Sequence, residues 1–329
     1  MEILSLYFMM MKKPLVSIIT PCFNSHSTII ETIRSVKNQS YQNIEHIVID
    51  DGSTEPIKNV IQTYLSNIIF LQQDNMGVSA ARNNAVKHAQ GEILVFLDAD
   101  DLIDSTYIEK VVQSFELQPN IAMVACYVSE IGRSKNKIKI KPFCQESFYY
   151  HNNLFPSIIA VSKVLFEKVQ GYNENLKVCE DWDLYLRISQ MNAKVHVIPE
   201  YLFFYRKHKD LSSLTDLMGR DKDTVHKAYY SLYQTHQDFY DQKLLSPLNV
   251  AYLKIKSDKR VNKVFKVLKF VLLLLLFLSC TLLGINDLNM VNLTFNILII
   301  LTLLLLFIFI VRAENKLKKF DIKNIPHID

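Results

Sequence analysis

Short apolar runs alternate with polar turns and amphipathic stretches through the first part of the chain. Leu15–Thr20 reads LVSIIT, and PCFNS follows it before Ile29, Ile30, Ile33 and Val36 mark one face of a helix. The unit recurs three times. Ile44–Ile49 precedes DDGST and then Ile57, Val60, Ile61 and Leu65; Ile68–Leu71 precedes QQDNMG and then Val78–Ala89; Ile93–Leu97 precedes DADD and then Ile108–Phe115. Ile121–Val128 closes the series. Continuous apolar runs of this length predict strands buried on both faces, and their alternation with amphipathic helices predicts a mostly parallel central sheet with flanking helices. Ligands of such sheets collect outside the carboxyl ends of the strands. The residues predicted there are Pro21, Phe23 and Asn24, then Asp50 and Asp51, then Asp74 and Asn75, then Asp98, Asp100 and Asp101.

A different pattern takes over near the C-terminus. Phe270–Ile285 reads FVLLLLLFLSCTLLGI, and counting from Val264 with Lys266 and Lys269 snorkelling makes it long enough to span a bilayer. Val291–Val311 is a second such stretch. The connecting Asn286–Met290 holds no Lys or Arg, whereas Lys254, Lys256, Lys259, Arg260 and Lys263 precede the first stretch and Arg312, Lys316, Lys318 and Lys319 follow the second. The positive-inside rule then places both flanks in the cytoplasm. The lengths and flanking charges favour this hairpin over two buried core helices. The opening MEILSLYFMMM has no basic n-region or cleavage site, so no signal peptide is expected, and Met11 is a candidate start. The expected layout is an N-terminal extension (1–13), an α/β domain (14–220), a helical basic linker (221–263), two transmembrane helices (264–311) and a cytoplasmic tail (312–329). The whole is expected at the cytoplasmic (inner) membrane, with the α/β domain and both termini cytoplasmic.

Composition sharpens this division. The net charge of +4 arises from 37 basic and 33 acidic residues; 12 and 5 of these fall after residue 250, which leaves the preceding part slightly acidic. A nucleic-acid binder would carry its positive charge on the folded domain, so no nucleic-acid partner is expected. The 5 cysteines are scattered and form no C-x-x-C pair, as reduced residues of a cytoplasmic protein do.

The acidic rim narrows the chemistry. PCFNSHS has no glycine, so neither a dinucleotide fingerprint nor a Walker A loop opens the first βα unit. With 7 glycines in the chain, cradling phosphate by bare backbone is not the strategy. A diphosphate beside carboxylates then calls for a bridging divalent cation, Mn2+ or Mg2+. Taken singly, Asp-Gly-Ser-Thr is also an ordinary strand-to-helix turn, and DADD can be a turn with Asp104 or Ser105 capping the next helix. Acidic or polar clusters at successive strand ends of one sheet are harder to read as turns alone. KNKIKIK (135–141) alternates like an exposed edge strand or flap.

VSIITPCFN (16–24), VIDDGST (48–54), DNMGVSAARN (74–83) and FLDADD (96–101) resemble, in order and spacing, the nucleotide-sugar motifs of family 2 glycosyltransferases with the GT-A fold. GYNENLKVCEDWDLYLRI (171–188) is similar to the acceptor-side ED block of that family. The resemblance covers about residues 14 to 215 and rests on the set rather than on any single motif. It implies a GT-A nucleotide-diphospho-sugar transferase fold followed by the membrane hairpin. Carried over by position, Pro21 and Phe23 would line the base pocket beside Asn24, Asp51 would accept from the base edge, and Asp50 would support that loop. Arg82 would lie near the nucleotide. Asp98 would hold the ribose or a metal-bound water, and Asp100 would coordinate the metal, with His208 of YLFFYRKHKDLSS (201–213) completing the metal or diphosphate site. His208 can equally be a surface residue of a basic loop, with Arg206, Lys207 or Lys209 around it contacting phosphate instead. Asp181 would be the catalytic base, with Glu180 and Trp182 shaping the acceptor pocket. Asp181 is also placed to be a first-turn acid of an amphipathic helix whose Asp183 and Arg187 pair at i,i+4.

The resemblance implies inverting transfer, in which one carboxylate removes the acceptor proton and a metal stabilises the leaving diphosphate. A hydrolase would want two opposed carboxyls. The only tryptophan is Trp182, so the Q-x-x-R-W motif of processive polymer synthases is missing, and two spans enclose no tunnel. Transfer of one or a few sugars to a hydroxyl of a lipid-linked glycan is the expected activity. The expected partners are a nucleotide-diphosphate sugar, that acceptor, the lipid bilayer and, as an open option, a second copy of the chain. A polyprenyl-phosphate glycosyltransferase is the nearest alternative, and a non-catalytic sugar-nucleotide binder or scaffold is the alternative of another class.

Overall fold

The computed structural model describes residues 13–117, 120–149, 152, 154, 158–176, 178–191, 193–208, 222–238 and 266–271, with short pieces between 302 and 311. The chain divides into two units, Met1–Thr235 and His236–Asp329. In the second, the expected spans (264–311) lie largely outside the described residues. Among the described residues no helix is long and apolar enough to cross a membrane.

The first unit runs β1 (Val16–Cys22), α1 (Ile29–Lys37), β2 (Ile44–Asp51), α2 (Ile57–Val60), a 3-10 turn (Gln62–Asn67), β3 (Ile69–Gln73), α3 (Val78–Val86), β4 (Ile93–Phe96), β5 (Leu102–Ile103) and α4 (Tyr107–Leu117). It continues through β6 (Ile121–Gly132), β7 (Lys137–Ile138), α5 (Gln145–Phe148), β8 (Ala160–Ser162), α6 (Lys163–Lys168), α7 (Glu180–Ser189), β9 (Lys194–Lys207) and α8 (Lys222–Thr235). The strands form one 9-stranded sheet in the order β3-β2-β1-β4-β8-β6-β9-β5, with β7 beside β6.

The first four strands pair in parallel, as the repeated apolar runs predict. β2 is covered on both faces: Ile47 and Ile49 join the main core, while Val48 packs with Ile29, Ile33, Ile57 and Ile61 beneath α1 and α2. That two-sided burial is why the strand reads as an uninterrupted apolar run. The rest of the sheet is mixed rather than mostly parallel. β8 inserts antiparallel between β4 and β6, β5 runs antiparallel to β9, and β6 pairs in parallel with β9. A three-residue strand carries too little pattern to be seen in a sequence. β9 was expected only as a basic motif, yet it is the longest strand of the sheet, with a register shift against β6 around Pro199, which has no N–H to donate.

Two predicted boundaries move. The helix expected over Ile57–Leu65 is a single turn followed by a 3-10 turn, where Thr63, Ser66 and Asn67 supply polar side chains that compete for backbone groups. KIK does form an edge: β7 pairs with β6, Lys137 is exposed and Ile140 is buried.

Candidate functional site

From β1 the chain moves outward to β2 and β3 and then returns to β4 on the other side of β1. The loops after β1 and β4 therefore diverge at this reversal, leaving a crevice at the carboxyl ends of the strands.

Hydrogen bonds join the first three of these loops. Asn24 adopts a left-handed backbone, φ 53°, and its Oδ1 accepts from Thr54 N and Thr54 Oγ1, each at 2.9 Å, while Ser53 Oγ accepts from Asn24 N at 2.9 Å. Asn tolerates that conformation better than most residues because its short amide bonds locally. Asp50 is buried and accepts from Ser53 N at 3.0 Å and Ile57 N at 3.4 Å, which shapes the loop and the start of α2. Asp51, also buried, takes Gln73 Nε2 at 2.8 Å and Met76 N at 2.9 Å on Oδ1, and Gly77 N at 2.9 Å on Oδ2. In this structure Asp51 closes the loop after β3. Gly52, φ +72°, allows the closure, since a Cβ there would lie 2.6 Å from Asn75 N.

Two expected base-pocket residues differ in setting. Pro21 was expected in the loop after the first strand, but β1 extends to Cys22 and Pro21 is buried within it, opposite Ile49. The β4 ladder ends at Ile19, whose carbonyl accepts from Leu97 N, so the missing proline N–H leaves no bond unmade. Phe23 lies just past the strand and is 49% exposed, a large apolar ring left open to solvent.

The centre of the site is Arg82. Its side chain, 5% exposed, donates from Nη2 to Asp98 Oδ1 at 2.8 Å and from Nη1 to Asp181 Oδ1 at 3.0 Å, with Glu180 Oε1 at 3.6 Å. The guanidinium also lies 5.1 Å from the centre of the Tyr172 ring. One cation on α3 thus gathers the acid after β4 and the pair at the start of α7. The Asp98 side chain is 48% exposed and that of Asp181 35%, so these two are open to a ligand while Glu180 is enclosed. Burial and the neighbouring Asp181 push the Glu180 carboxyl up to about 7, against the pull of Arg82. Burial and Asp98 raise Asp181 as well, opposed by Arg82 and by the Tyr172 hydroxyl.

A second group forms where β9 ends. His208 Nε2 and Asp100 Oδ2 are 2.7 Å apart, with both side chains about one-third exposed, at 31% and 34%. Arg206 ties this corner together: its N donates to Asp101 Oδ1 at 2.7 Å, its Nε to Asp100 O at 2.6 Å and its Nη2 to Glu31 at 2.6 Å. Asp101 is buried, and its carboxyl is held well above the usual range by that burial and by Asp100 and Asp98. Among the described residues no group of three or more His, Cys, Asp or Glu side chains makes a ready cation cage. A carboxylate and an imidazole within reach of each other nonetheless suit Mn2+ or Mg2+ when substrate phosphates and water supply the remaining ligands.

Trp182, expected at the acceptor pocket, is a core residue: it is 5% exposed, its Nε1 donates to Phe148 O at 2.9 Å, and its ring packs edge-on against Phe148 and Tyr229. On α7 it lies about 100° around the helix from Asp181, among neighbours that are nearly all buried. Asp183 and Arg187 do pair, at 3.0 Å. The sequence assigned no role to Tyr172, placed Asp101 only among the acids after the fourth strand, and offered Arg206 only as a basic neighbour of His208 able to contact phosphate. Tyr172 sits inside the GYNEN block that was singled out, and Arg206 two residues before His208, so proximity to those motifs was the available signal.

Residues 17–169 match the family described as Glycosyl transferase family 2. An uncharacterized glycosyltransferase of Methanocaldococcus jannaschii is 29% identical over 240 residues, which is 69% of this chain and 80% of that protein. A putative teichuronic acid biosynthesis glycosyltransferase of Bacillus subtilis, TuaG, is 29% identical over 202 residues, 59% of this chain and 79% of that protein. Among solved structures, S. aureus TarS 1-349 in complex with UDP-GlcNAc superposes with a TM-score of 0.53 at 19% identity, covering 72% of this chain and 78% of that one. At that identity the likeness is one of fold, an α/β architecture of the GT-A type.

Proposed function

The chain carries a glycosyl transferase family 2 domain, and from that premise we propose that it moves a sugar from a UDP-sugar to a hydroxyl of a membrane-associated, lipid-linked glycan in envelope polysaccharide synthesis. The observation that carries this reading is the bridge made by Arg82, which brings Asp98 and Asp181 to one place from segments far apart in the chain. A donor-side acid and an acceptor-side acid in one partly open site are what a direct displacement needs.

In this reading Asp181 takes the proton of the attacking hydroxyl, and attack from the face opposite the leaving diphosphate inverts the anomeric carbon. Phe23, exposed beside the preassembled loops, offers its ring to the base, with Pro21, Asn24, Asp50 and Asp51 fixing the walls around it. Asp98 faces the ribose or a metal-bound water. Asp100 and His208 would hold a divalent cation, and the chemistry such a cation supplies is neutralisation of the departing diphosphate. Glu180, enclosed beside Asp181, tunes the acceptor side. Supporting the substrate class, the B. subtilis relative is named for teichuronic acid biosynthesis and the S. aureus fold relative is complexed with UDP-GlcNAc. The C-terminal apolar stretches are proposed to anchor the domain at the cytoplasmic face of the membrane, beside a lipid-borne acceptor.

The test is transfer by the full chain in lipid nanodiscs, given labelled UDP-GlcNAc, Mn2+ and either polyprenyl phosphate or a pre-glycosylated polyprenyl diphosphate. Label on the pre-glycosylated lipid, with inverted configuration, is the expected result. Labelled polyprenyl phosphate formed with no glycan acceptor present would overturn the hydroxyl-acceptor reading.

A further inference from the structure

Both hydrogen bonds made by the Asp181 side chain fall on the same oxygen. Arg82 Nη1 donates to Oδ1 at 3.0 Å and Tyr172 Oη donates to Oδ1 at 3.1 Å. Oδ2 accepts from no described residue, although the side chain keeps 35% of its surface open. The carboxylate is therefore divided into a pinned oxygen and one that no described residue occupies.

The groups doing the pinning are themselves held. Tyr172 is buried, with its ring edge-on to Phe96 at 5.1 Å and to Phe166 at 5.8 Å. Asn83, the neighbour of Arg82 on α3, accepts from Tyr172 N at 2.8 Å and donates to Tyr172 O at 2.9 Å. That approach needs Gly171, where a Cβ would stand 2.6 Å from Asn83 Oδ1. Two consecutive residues of one helix thus fix the Tyr172 backbone and the Asp181 carboxylate together. A tyrosine conserving only its packing would need no hydroxyl there. A buried hydroxyl aimed at a half-open carboxylate is an orientation device.

We propose that Tyr172 is a positioning residue, which together with Arg82 occupies Oδ1 of Asp181 and so leaves Oδ2 as the oxygen that receives the acceptor proton. The proposal rests on the reading of Asp181 as the base. In the step it serves, the acceptor O–H proton passes to Oδ2, the acceptor oxygen bonds the anomeric carbon, and the bond from that carbon to the diphosphate oxygen breaks with its electron pair leaving on the diphosphate. Holding one oxygen keeps the plane of the carboxylate fixed, and orientation of this kind is where much catalytic advantage arises.

The charged and titratable groups around Asp181 are Arg82 from α3, Asp98 after β4, Tyr172, Cys179 before α7, and Glu180 and Tyr185 on α7 itself. Tyr172→Phe changes only the phenol among these. The hydrogen bond to Oδ1 lowers the Asp181 pKa, so its removal raises that pKa and moves the acid limb of kcat to higher pH.

The experiment uses the full chain in nanodiscs carrying the pre-glycosylated polyprenyl diphosphate as acceptor, with UDP-GlcNAc and Mn2+ as probes and release of UDP as the readout, together with thermal unfolding at pH 8. Tyr172→Phe is expected to lower kcat about tenfold and shift its acid limb up by about one pH unit, with KM for the donor unchanged. Its Tm at pH 8 should fall by about 3 °C, and by less than about 1 °C when Asp181→Ala, which removes the accepting oxygen altogether, is already present. Equal Tm losses in the two backgrounds, or a kcat profile that coincides with the parent chain, overturn the proposal. Full turnover by Asp181→Asn overturns the base assignment instead, and the thermal cycle, which needs no turnover, then still decides whether the hydroxyl holds Oδ1.

Discussion

Nε2 of His208 and Oδ2 of Asp100 stand 2.7 Å apart although 108 positions separate them in the chain. The long strand β9 and the Arg206 bonds to the backbone of Asp100 and the carboxylate of Asp101 deliver His208 to that place. With the proton moved off Nε2, the imidazole nitrogen and the carboxylate oxygen each present a lone pair that a cation can take. His208→Ala is therefore expected to weaken Mn2+ binding by at least about tenfold, a loss that even outer partners of metal ligands produce. Calorimetric titration of the full chain with Mn2+ in the presence of UDP checks this. Unchanged affinity would reduce the imidazole to a hydrogen-bond partner of Asp100.

Asp51 is expected to act on stability and nucleotide binding together. Asp51→Ala removes the acceptor for Gln73 Nε2, Met76 N and Gly77 N, bonds that fold the loop after β3 onto the loop after β2. Leaving such groups without partners costs about 1–3 kcal/mol each where they stay buried, and about 2–4 kcal/mol in total is expected here because the loop can open to water. Denaturant unfolding should show that loss, and UDP binding should weaken in parallel. A destabilised chain that still binds UDP with parental affinity would separate the loop from the nucleotide site.

Trp182 gives the opposite expectation from the one its motif suggests. Its indole is packed between Phe148 and Tyr229, and its N–H satisfies a backbone carbonyl. Trp182→Phe should cost about 1–3 kcal/mol in denaturant unfolding, through the orphaned Phe148 carbonyl and lost packing, while KM for donor and acceptor stay at parental values. A rise in acceptor KM without loss of stability would restore the indole to the acceptor pocket.

The parallel half of the sheet was legible because two-sided burial writes itself as unbroken apolar runs, and the acids at its strand ends were legible because a polar cluster after such a run has few uses. What escaped were contacts made across long separations. Nothing in the local pattern says that Arg82 faces the acid pair at α7 rather than a nucleotide phosphate, since the guanidinium chemistry is the same for either anion. Trp182 escaped for a related reason: on a helix, the residue next to a site acid lies about 100° away from it, and here that turn points into the core. β8 was invisible because its short apolar sequence, Ala160–Ser162, gains its strand character from neighbours on both sides.

The buried Glu180 makes the pH dependence of stability a test of the whole acid cluster. Its carboxyl, 10% exposed, is pushed from an ordinary 4.5 up to about 7, mainly by burial and then by Asp181, with Arg82 opposing. Between those two values the folded chain holds a proton that the unfolded chain has released, so stability falls as pH rises through the window and levels off above it. The loss is felt in full near pH 8 and absent below about pH 4.5. Because Asp181 titrates beside it and is raised as well, the step belongs to the pair rather than to one residue. Glu180→Gln removes the ionisation without changing the shape of the side chain. The variant should unfold with the same midpoint as the parent near pH 4.5 and become progressively more stable than it toward pH 8. Denaturant curves recorded across that range decide the matter: parallel pH profiles for the two chains would mean that Glu180 ionises as an exposed acid does, the pull of Arg82 offsetting its burial in full.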